Sequence, residues 1–357
     1  MKLKPIPRLA LLAAIASILA LPAVATKPRD DDPLESEIRR WTAWVRDTTS
    51  KDELVVDARQ SAGPLLARAE KARAAGRRSL ALFRLSAVRG NLMAAQWAAS
   101  RPKAEREERV ALEAAWRREA KSLGHAPKIE GDRSALCRAM SETAARESQS
   151  YYDASLSYGQ STAPQYGLYY MGLAYGQSDL VRWLGTWRDA SPRSAMAMRS
   201  PAPEIEQLQQ RLLLVYRPPL SIDRHPEFIR ASAALKEARE LDAAGLRHGA
   251  LLQVLYAALR AAPLVEPRAP VDTASLDRRV TDLERQLAAE DKDHGIANLF
   301  LEIAREDLAQ NPAHPAQAAA VVSEVMPLYI GALGPLPAAA APRPAKVTVT
   351  LVRWPYT

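Results

Sequence analysis

Hydrophobic positions recur every three or four residues along most of this chain, which predicts amphipathic α-helices. The pattern starts at Leu34, Ile38 and Trp41 and continues to about residue 332. It predicts helices over about 33–48, 52–76, 79–99, 102–122, 132–152, 163–176, 178–189, 203–216, 226–243, 246–261, 273–290, 294–310 and 315–332. The predicted fold class is therefore all-α, an array of about a dozen antiparallel helices.

Glycine, proline and turn residues mark the predicted interruptions. Gly63-Pro64 should kink or break the second helix, because proline has no backbone N–H to donate, and Gly90 should interrupt the third. Residues 190–203 are rich in turn residues and have weak periodicity, which predicts a mobile loop. This loop would separate an N-terminal helical domain, 33–190, from a C-terminal one, 203–333.

The C-terminal residues break the helical pattern. Residues 334–346 are rich in proline and alanine, which predicts an extended linker. In residues 347–357, apolar Val347, Val349 and Leu351 alternate with threonines, which is the period of a β-strand. A lone strand needs a neighbour for its hydrogen bonds. It could lie along its own helices, pair in a dimer, or add Val347–Trp354 to the sheet of a partner.

The N-terminus has the pattern of an export signal. Lys2, Lys4 and Arg8 precede a short apolar run, 9–21, and a small-x-small cleavage pattern ends at Ala25. The run is too short to span a bilayer, so residues 1–25 are predicted to be a signal peptide. The mature protein would be periplasmic or secreted, with no membrane span after cleavage.

Charge and composition exclude further classes. Loss of the three basic residues with the signal peptide would lower the net charge from +8 to +5, which disfavours nucleic acid as a partner. Glycine is scarce, at 15 of 357 residues, which disfavours a Gly-rich nucleotide-binding fold. The single cysteine, Cys137, excludes a disulfide scaffold and is predicted to be a small buried hydrophobe.

Tyrosine is concentrated in one segment. Seven of the eleven tyrosines lie between residues 151 and 175, interleaved with glycines. Tyrosine offers broad contact area with few rotors and a hydroxyl, which suits peptide or sugar binding. The alternative is that those at helical spacing fill a helix interface. Tyr151, Tyr152 and Tyr158 are expected in an irregular connection. The candidate binding residues are Tyr151, Tyr152, Tyr158, Tyr166 and Tyr170.

Two parts of the chain echo each other. Residues 74–78, Ala-Ala-Gly-Arg-Arg, match residues 243–247, Ala-Ala-Gly-Leu-Arg, and in both an Ala-Leu pair follows at the same distance. Residues 171–175, Met-Gly-Leu-Ala-Tyr, resemble the first-helix core of a tetratricopeptide repeat. Farther along the chain, the pattern Gly245, Ala250, Ala257 and Pro263 resembles the second half of that repeat. The resemblance implies an α-solenoid whose concave face binds peptides or proteins. An irregular helical array with chance matches is the alternative.

Few residues carry recognisable chemistry. The five histidines have no metal-ligand spacing, and no nucleophile elbow or phosphate-binding loop occurs, so neither a metal nor a cofactor is predicted. Glu147-Ser148 resembles the catalytic Glu-Ser pair of lytic transglycosylases, in which the glutamate is the general acid. Here Tyr151 follows later than the family's aromatic, and Gly167-Leu168 is followed by Tyr169-Tyr170 instead of Met-Gln.

The sequence favours an exported, non-catalytic helical-repeat protein that binds an envelope or secreted protein, a peptide or an envelope polymer. The alternative is a cell-wall glycan-cleaving enzyme that uses Glu147 as its general acid.

Overall fold

The computed structural model describes residues 32–131, 133–187, 194, 196, 198–217, 222–264 and 272–334. Within these ranges the regular elements are helices, apart from one isolated bridge between Ser194 and Lys292. The all-α prediction is therefore confirmed. The predicted signal peptide, the C-terminal strand 347–357, all but the first residue of the linker, and much of the loop 190–203 lie outside the described residues.

The N-terminal part of the chain consists of seven helices among the described residues. They are α1 (Pro33–Asp47), α2 (Glu53–Ala74), α3 (Arg78–Ala99), α4 (Lys103–Glu107), α5 (Arg109–Leu123), α6 (Ala135–Ser161) and α7 (Pro164–Thr186).

The C-terminal part contains shorter helices. They are α8 (Ala202–Val215), a 3₁₀ turn (Ile222–Arg224), α9 (His225–Ala243), α10 (Arg247–Ala261), a 3₁₀ turn (Ala262–Leu264), α11 (Thr273–Ala289), α12 (Gly295–Gln310), α13 (Ala316–Ala320), a π-helical turn (Val321–Val325) and α14 (Met326–Leu333).

Two helix breaks allowed by the sequence, at Gly63-Pro64 and at Gly90, do not occur. Helix α2 continues through Gly63-Pro64, and its buried face, with Ala62 and Leu66, is continuous across the proline. Helix α3 continues through Gly90, which is buried on the face that contacts α7. In both helices tertiary packing overrides the local preference of glycine and proline against a helix interior.

The tyrosine-rich segment is also more regular than the sequence indicates. Helix α6 extends to Ser161, so the prediction that Tyr151, Tyr152 and Tyr158 lie in an irregular connection is wrong. The two helices predicted over 163–176 and 178–189 form the single helix α7. Gly176 does not end a helix there, because its backbone packs against that of α3.

The echo between residues 74–78 and 243–247 corresponds to two hairpins with the same turn geometry. Gly76 and Gly245 adopt positive φ angles of 76° and 75°, which a residue with a Cβ adopts only at a cost. In the first hairpin Arg77 N donates to Ala72 O, and in the second Leu246 N donates to Leu241 O, both at 2.9 Å. The α2–α3 and α9–α10 hairpins therefore close in the same way.

Carboxylates from distant helices cap the second helix of each hairpin at the same position. The Glu302 carboxylate accepts from Leu80 N at 2.7 Å, and the Glu142 carboxylate accepts from Gly249 N at 2.8 Å. Each donor is the third residue of its helix, and neither helix has a capping side chain of its own. An acceptor from another helix thus satisfies an N-terminal N–H group.

One apolar core extends across both predicted domains. It runs from Leu34 in α1 to Ala332 in α14 and includes Cys137, which is buried as predicted. A smaller cluster lies between α5, α6 and α7.

Among the described residues, Ala316–Leu333 is long and apolar enough to cross a membrane, by length and composition alone. Core helices meet the same criterion, and Val321, Val325 and Tyr329 of this segment are fully buried against other helices.

Candidate ligand-binding site

The glycines of the tyrosine-rich segment bring α6 and α7 into backbone contact. A Cβ on Gly159 of α6 would lie 2.8 Å from Gly167 Cα, and a Cβ on Gly167 would lie 2.7 Å from Ser155 O. A Cβ does not fit at either position, because Cβ atoms do not come this close to other heavy atoms. The two helices therefore form a tight hairpin, in which the backbones are in contact at Gly159 and Gly167.

A second pair of glycines holds α7 against α3. A Cβ on Gly172 would lie 2.6 Å from Ala94 O, and a Cβ on Gly176 would overlap Gly90 O. Because Gly172 and Gly176 are four residues apart, they lie on one face of α7. That face is fixed to α3.

Four tyrosines form a continuous row along the seam between α6 and α7. Tyr166 contacts Tyr158 edge-to-face with ring centroids 6.4 Å apart, Tyr158 and Tyr170 are 4.5 Å apart, and Tyr170 contacts Tyr151 edge-to-face at 5.9 Å. The rings come alternately from the two helices. Tyr166 is exposed at the outer end and the other three are partly buried, so the row offers a half-buried aromatic surface.

Glu147 lies at the inner end of this row, one helical turn before Tyr151. Its side chain is half-buried, and the half-buried surroundings that it shares with Tyr151 are called the recess below. Burial raises the pKa of Glu147 to about 7. The charge of Glu147, together with burial, raises the pKa of Tyr151 well above its usual value.

Glu237 of α9 faces the same recess. Burial and the negative charges of Glu147 and Glu240 raise the pKa of Glu237 to about 8. A hydrogen bond from Gln253 Nε2 of α10, at 3.0 Å, opposes this rise. Next to the pair, Arg146 of α6 lies 3.6 Å from Glu240 of α9, so the two helices face each other at this level.

Neither carboxyl has a cationic partner among the described residues. Glu147 makes no hydrogen bond or ion pair with them, and Glu237 accepts a hydrogen bond from the neutral Gln253. Tyr169 borders the recess, and burial followed by the charge of Asp57 raises its pKa to about 12. The recess therefore combines aromatic rings with an acid pair that is not neutralised.

Tyr152 does not belong to the row. It is 3% exposed and stacks on Trp116 of α5 with ring centroids 5.2 Å apart. Its hydroxyl donates to Trp116 O at 2.6 Å, and Trp116 Nε1 donates to Tyr152 O at 3.2 Å. Adjacent helical residues point about 100° apart, so Tyr151 faces the row while Tyr152 faces the small apolar cluster.

Sequence reasoning missed Glu237, Gln253 and Tyr169. In the sequence Glu237 stands among Lys236, Arg239 and Glu240 and is typical of a solvated helix face. Its position in the recess depends on the way α9 packs beside α6, which no local pattern records. Tyr169 could have been found, since it neighbours Tyr170 in the tyrosine-rich segment.

Two other recesses do not involve the tyrosine row or the acid pair. One is lined mainly by charged side chains of α2 and α4, including Asp52 and Arg106, and the other lies between α8 and α10. In the part of the chain that the structure describes, no group of three or more His, Cys, Asp or Glu side chains is arranged to hold a metal ion.

No protein family matches this chain, and no curated protein and no solved structure is similar to it.

Proposed function

We propose that this protein is an exported, non-catalytic helical binding protein, and that it binds a peptide or an envelope polymer along the tyrosine row. The observation that carries the proposal is the continuous row Tyr166–Tyr158–Tyr170–Tyr151, which leads from an exposed end into a recess. The row and the recess together would bind an extended ligand, with one group of the ligand held in the recess.

The composition of the segment supports binding. Tyrosine rings provide contact area with little loss of side-chain entropy, and their hydroxyls accept and donate hydrogen bonds. The glycines fix α7 to α3 and α6 by backbone contact, so the rings are presented by a rigid hairpin. A pre-organised surface binds at lower entropic cost than a mobile one.

The signal-peptide pattern of residues 1–25 supports export, and the two equivalent hairpin turns are compatible with a tetratricopeptide-like repeat protein. Repeat proteins of that kind bind peptides and proteins on extended faces. The C-terminal strand, 347–357, would provide a second contact with a partner.

The test is recovery of envelope components by immobilised protein. Tyr158→Ala combined with Tyr170→Ala removes the centre of the row, and we expect it to lower recovery of the specific partner at least tenfold. Tyr216→Ala, which removes a tyrosine that stacks on Phe228 outside the row, is the matched control. Far-ultraviolet circular dichroism checks that both variants are folded. Equal recovery by wild type and the double variant would contradict the proposal.

Glycan cleavage is the second candidate, and the raised pKa of Glu147 is the observation that favours it. A glutamate with a pKa of about 7 is partly protonated at neutral pH, as a general acid must be. Ser148, which would complete the Glu-Ser pair, instead donates to Ala174 O at 2.8 Å and is buried inside the hairpin. Release of fragments from purified cell-wall polymer by wild type, but not by Glu147→Gln, would establish this function and exclude a purely binding role.

A further inference from the structure

Four of the seven large hydrophobic side chains that are exposed among the described residues lie where α8 ends and α9 begins. Leu213 and Leu214 are in the last turn of α8, Ile222 precedes α9, and Ile229 lies one turn into α9. Each of the four is between 48% and 66% exposed. Single exposed apolar residues are normal on a protein surface, but a cluster of them marks a contact site. These four side chains are called the apolar patch.

The apolar core holds the two helices of the patch side by side. Leu208 and Leu212, on another face of α8, are 3% and 2% exposed. Tyr216, which follows α8, stacks on Phe228 of α9 with ring centroids 4.0 Å apart, and Phe228 packs against the core. The outward leucines of α8 and isoleucines of α9 therefore form one surface on a fixed frame.

The chain leaves the described structure beside the same helix. Arg199 donates from Nε to Gly334 O at 3.1 Å and from Nη1 to the carboxylate of Glu204, in the first turn of α8, at 3.0 Å. Ten residues before Gly334, Glu324 lies 2.7 Å from Arg211, near the last turn of α8. The chain from Glu324 to Gly334 therefore runs antiparallel along α8, and Gly334 lies at the N-terminal end of that helix.

The residues that follow Gly334 are long enough to reach the patch. Glu204 and Leu214 are separated by ten residues of α8, which is about 15 Å along the helix axis. Residues 335–346 contain four prolines and would span about 37 Å as an extended linker. The segment 347–357 would therefore reach the patch with length to spare.

We propose that the apolar patch is the docking site for residues 347–351 of this chain, with Val347, Val349 and Leu351 against the four aliphatic side chains. In an extended segment these three side chains lie on one side, about 7 Å apart, and the two threonines between them lie on the other. The contact goes beyond the proposed function, because it does not involve the tyrosine row. Both backbone edges of the docked segment stay open, so it can still add to the sheet of a partner.

The tether favours this segment over a second copy of the protein as the occupant of the patch. A short flexible linker holds its end at an effective concentration of about a millimolar. A second copy in dilute solution is present at a far lower concentration, and its association costs translational and rotational freedom. The segment also supplies three apolar side chains within five residues, which match the aliphatic surface of the patch.

The experiment compares isoleucine δ1-methyl NMR spectra of the full chain and of two full-length variants. Val347→Ser combined with Val349→Ser and Leu351→Ser removes the apolar side of the segment. Thr348→Ser combined with Thr350→Ser changes only the opposite side and is the matched control. All of these residues follow Gly334, so neither variant alters the core of the protein.

We expect the triple variant to shift the methyl signals of Ile222 and Ile229 and to leave those of Ile38 and Ile296, which are buried in the core, unchanged. The threonine control should leave all four signals unchanged. Unchanged Ile222 and Ile229 signals in the triple variant would overturn the proposal. Wild-type signals of Ile222 and Ile229 that move on dilution would identify a second copy as the occupant and would also overturn it.

Disulfide cross-linking tests the same contact directly. Cys137 is the only cysteine, so Cys137→Ala provides a background without a thiol. In this background, Leu214→Cys with Leu351→Cys should form an intramolecular disulfide about tenfold faster than Val110→Cys with Leu351→Cys, since Val110 is exposed on α5 and not in the patch. Far-ultraviolet circular dichroism checks that both proteins are folded. Equal rates, or disulfides formed mainly between two chains, would contradict docking of the segment on its own patch.

Discussion

Replacement of Glu147 by glutamine should stabilise the protein at alkaline pH and have little effect at acidic pH. In the folded state the pKa of Glu147 is about 7, above its ordinary value of 4.5, because of burial. The folded protein therefore binds more protons than the unfolded chain between these values. Stability is present in full below pH 4.5 and is lost as pH rises through 7.

The size of the effect follows from the rise in pKa. One pKa unit corresponds to about 1.4 kcal/mol, so a rise from 4.5 to about 7 amounts to about 3 kcal/mol. Partial access of solvent to the recess lowers the expected gain to about 2 kcal/mol at pH 8.5. Glutamine has nearly the shape of glutamate, so the change in packing is small. Removal of the Glu147 charge should also lower the pKa of Glu237.

Urea unfolding followed by tryptophan fluorescence at pH 5, 7 and 8.5 measures the difference in unfolding free energy. Glu206→Gln is the control, because this exposed side chain lies 3.8 Å from Arg239 and should change stability by less than about 0.5 kcal/mol at each pH. A Glu147→Gln protein that is less stable than wild type at pH 8.5, or whose advantage does not change with pH, would refute the argument from burial.

The remaining predictions concern the frame of the site. Gly176→Ala should lower the free energy of unfolding by about 2 kcal/mol or more, since its Cβ would overlap Gly90 O. Gly63→Ala, whose Cβ would have its nearest neighbour at 4.0 Å, should raise the free energy of unfolding by up to about 1 kcal/mol. Urea unfolding measures both variants, and equal effects would refute the contact between α7 and α3 as the cause. Gly245→Ala should cost about 1 to 2 kcal/mol because φ is 75° there, and an unchanged thermal midpoint would contradict this. Burial alone would raise the pKa of Glu142, but its hydrogen bonds to His248 and the Gly249 N–H lower it. Glu142→Gln should therefore destabilise the protein at pH 7 and progressively less toward pH 3. A difference in unfolding free energy between the variant and wild type that does not change with pH would exclude an ionised cap.

The helical architecture could be predicted because it follows from the local spacing of apolar residues. From Leu34 onward, apolar residues recur at the spacing that places them on one face of each helix. The repeated Ala-Ala-Gly sequence correctly marks two hairpin turns. Helix ends near glycine and proline could not be predicted. Gly90 and Gly176 occur where two helix backbones touch, and a sequence does not distinguish such a glycine from a helix terminator.

The candidate site could be predicted in part. The density of tyrosine drew attention to residues 151–175, and four of the five tyrosines proposed for binding lie in one row. Tyr152 lies on another face because helical residues next to each other diverge by about 100°. Glu237 could not be found, since its role depends on a helix 90 residues further along the chain than Glu147.

The most direct test of the central claim is a tyrosine-ring NMR map of the full chain, titrated with the envelope component that the immobilised protein recovers. With eleven tyrosines, ring-labelled protein gives a spectrum that can be assigned by single substitutions. We expect saturable shifts for Tyr151, Tyr158, Tyr166 and Tyr170 at pH 8.5, and none for Tyr216 or Tyr329. Shifts confined to Tyr216 or Tyr329, or no shifts at a saturating concentration of that component, would contradict the assignment of this row as the binding surface.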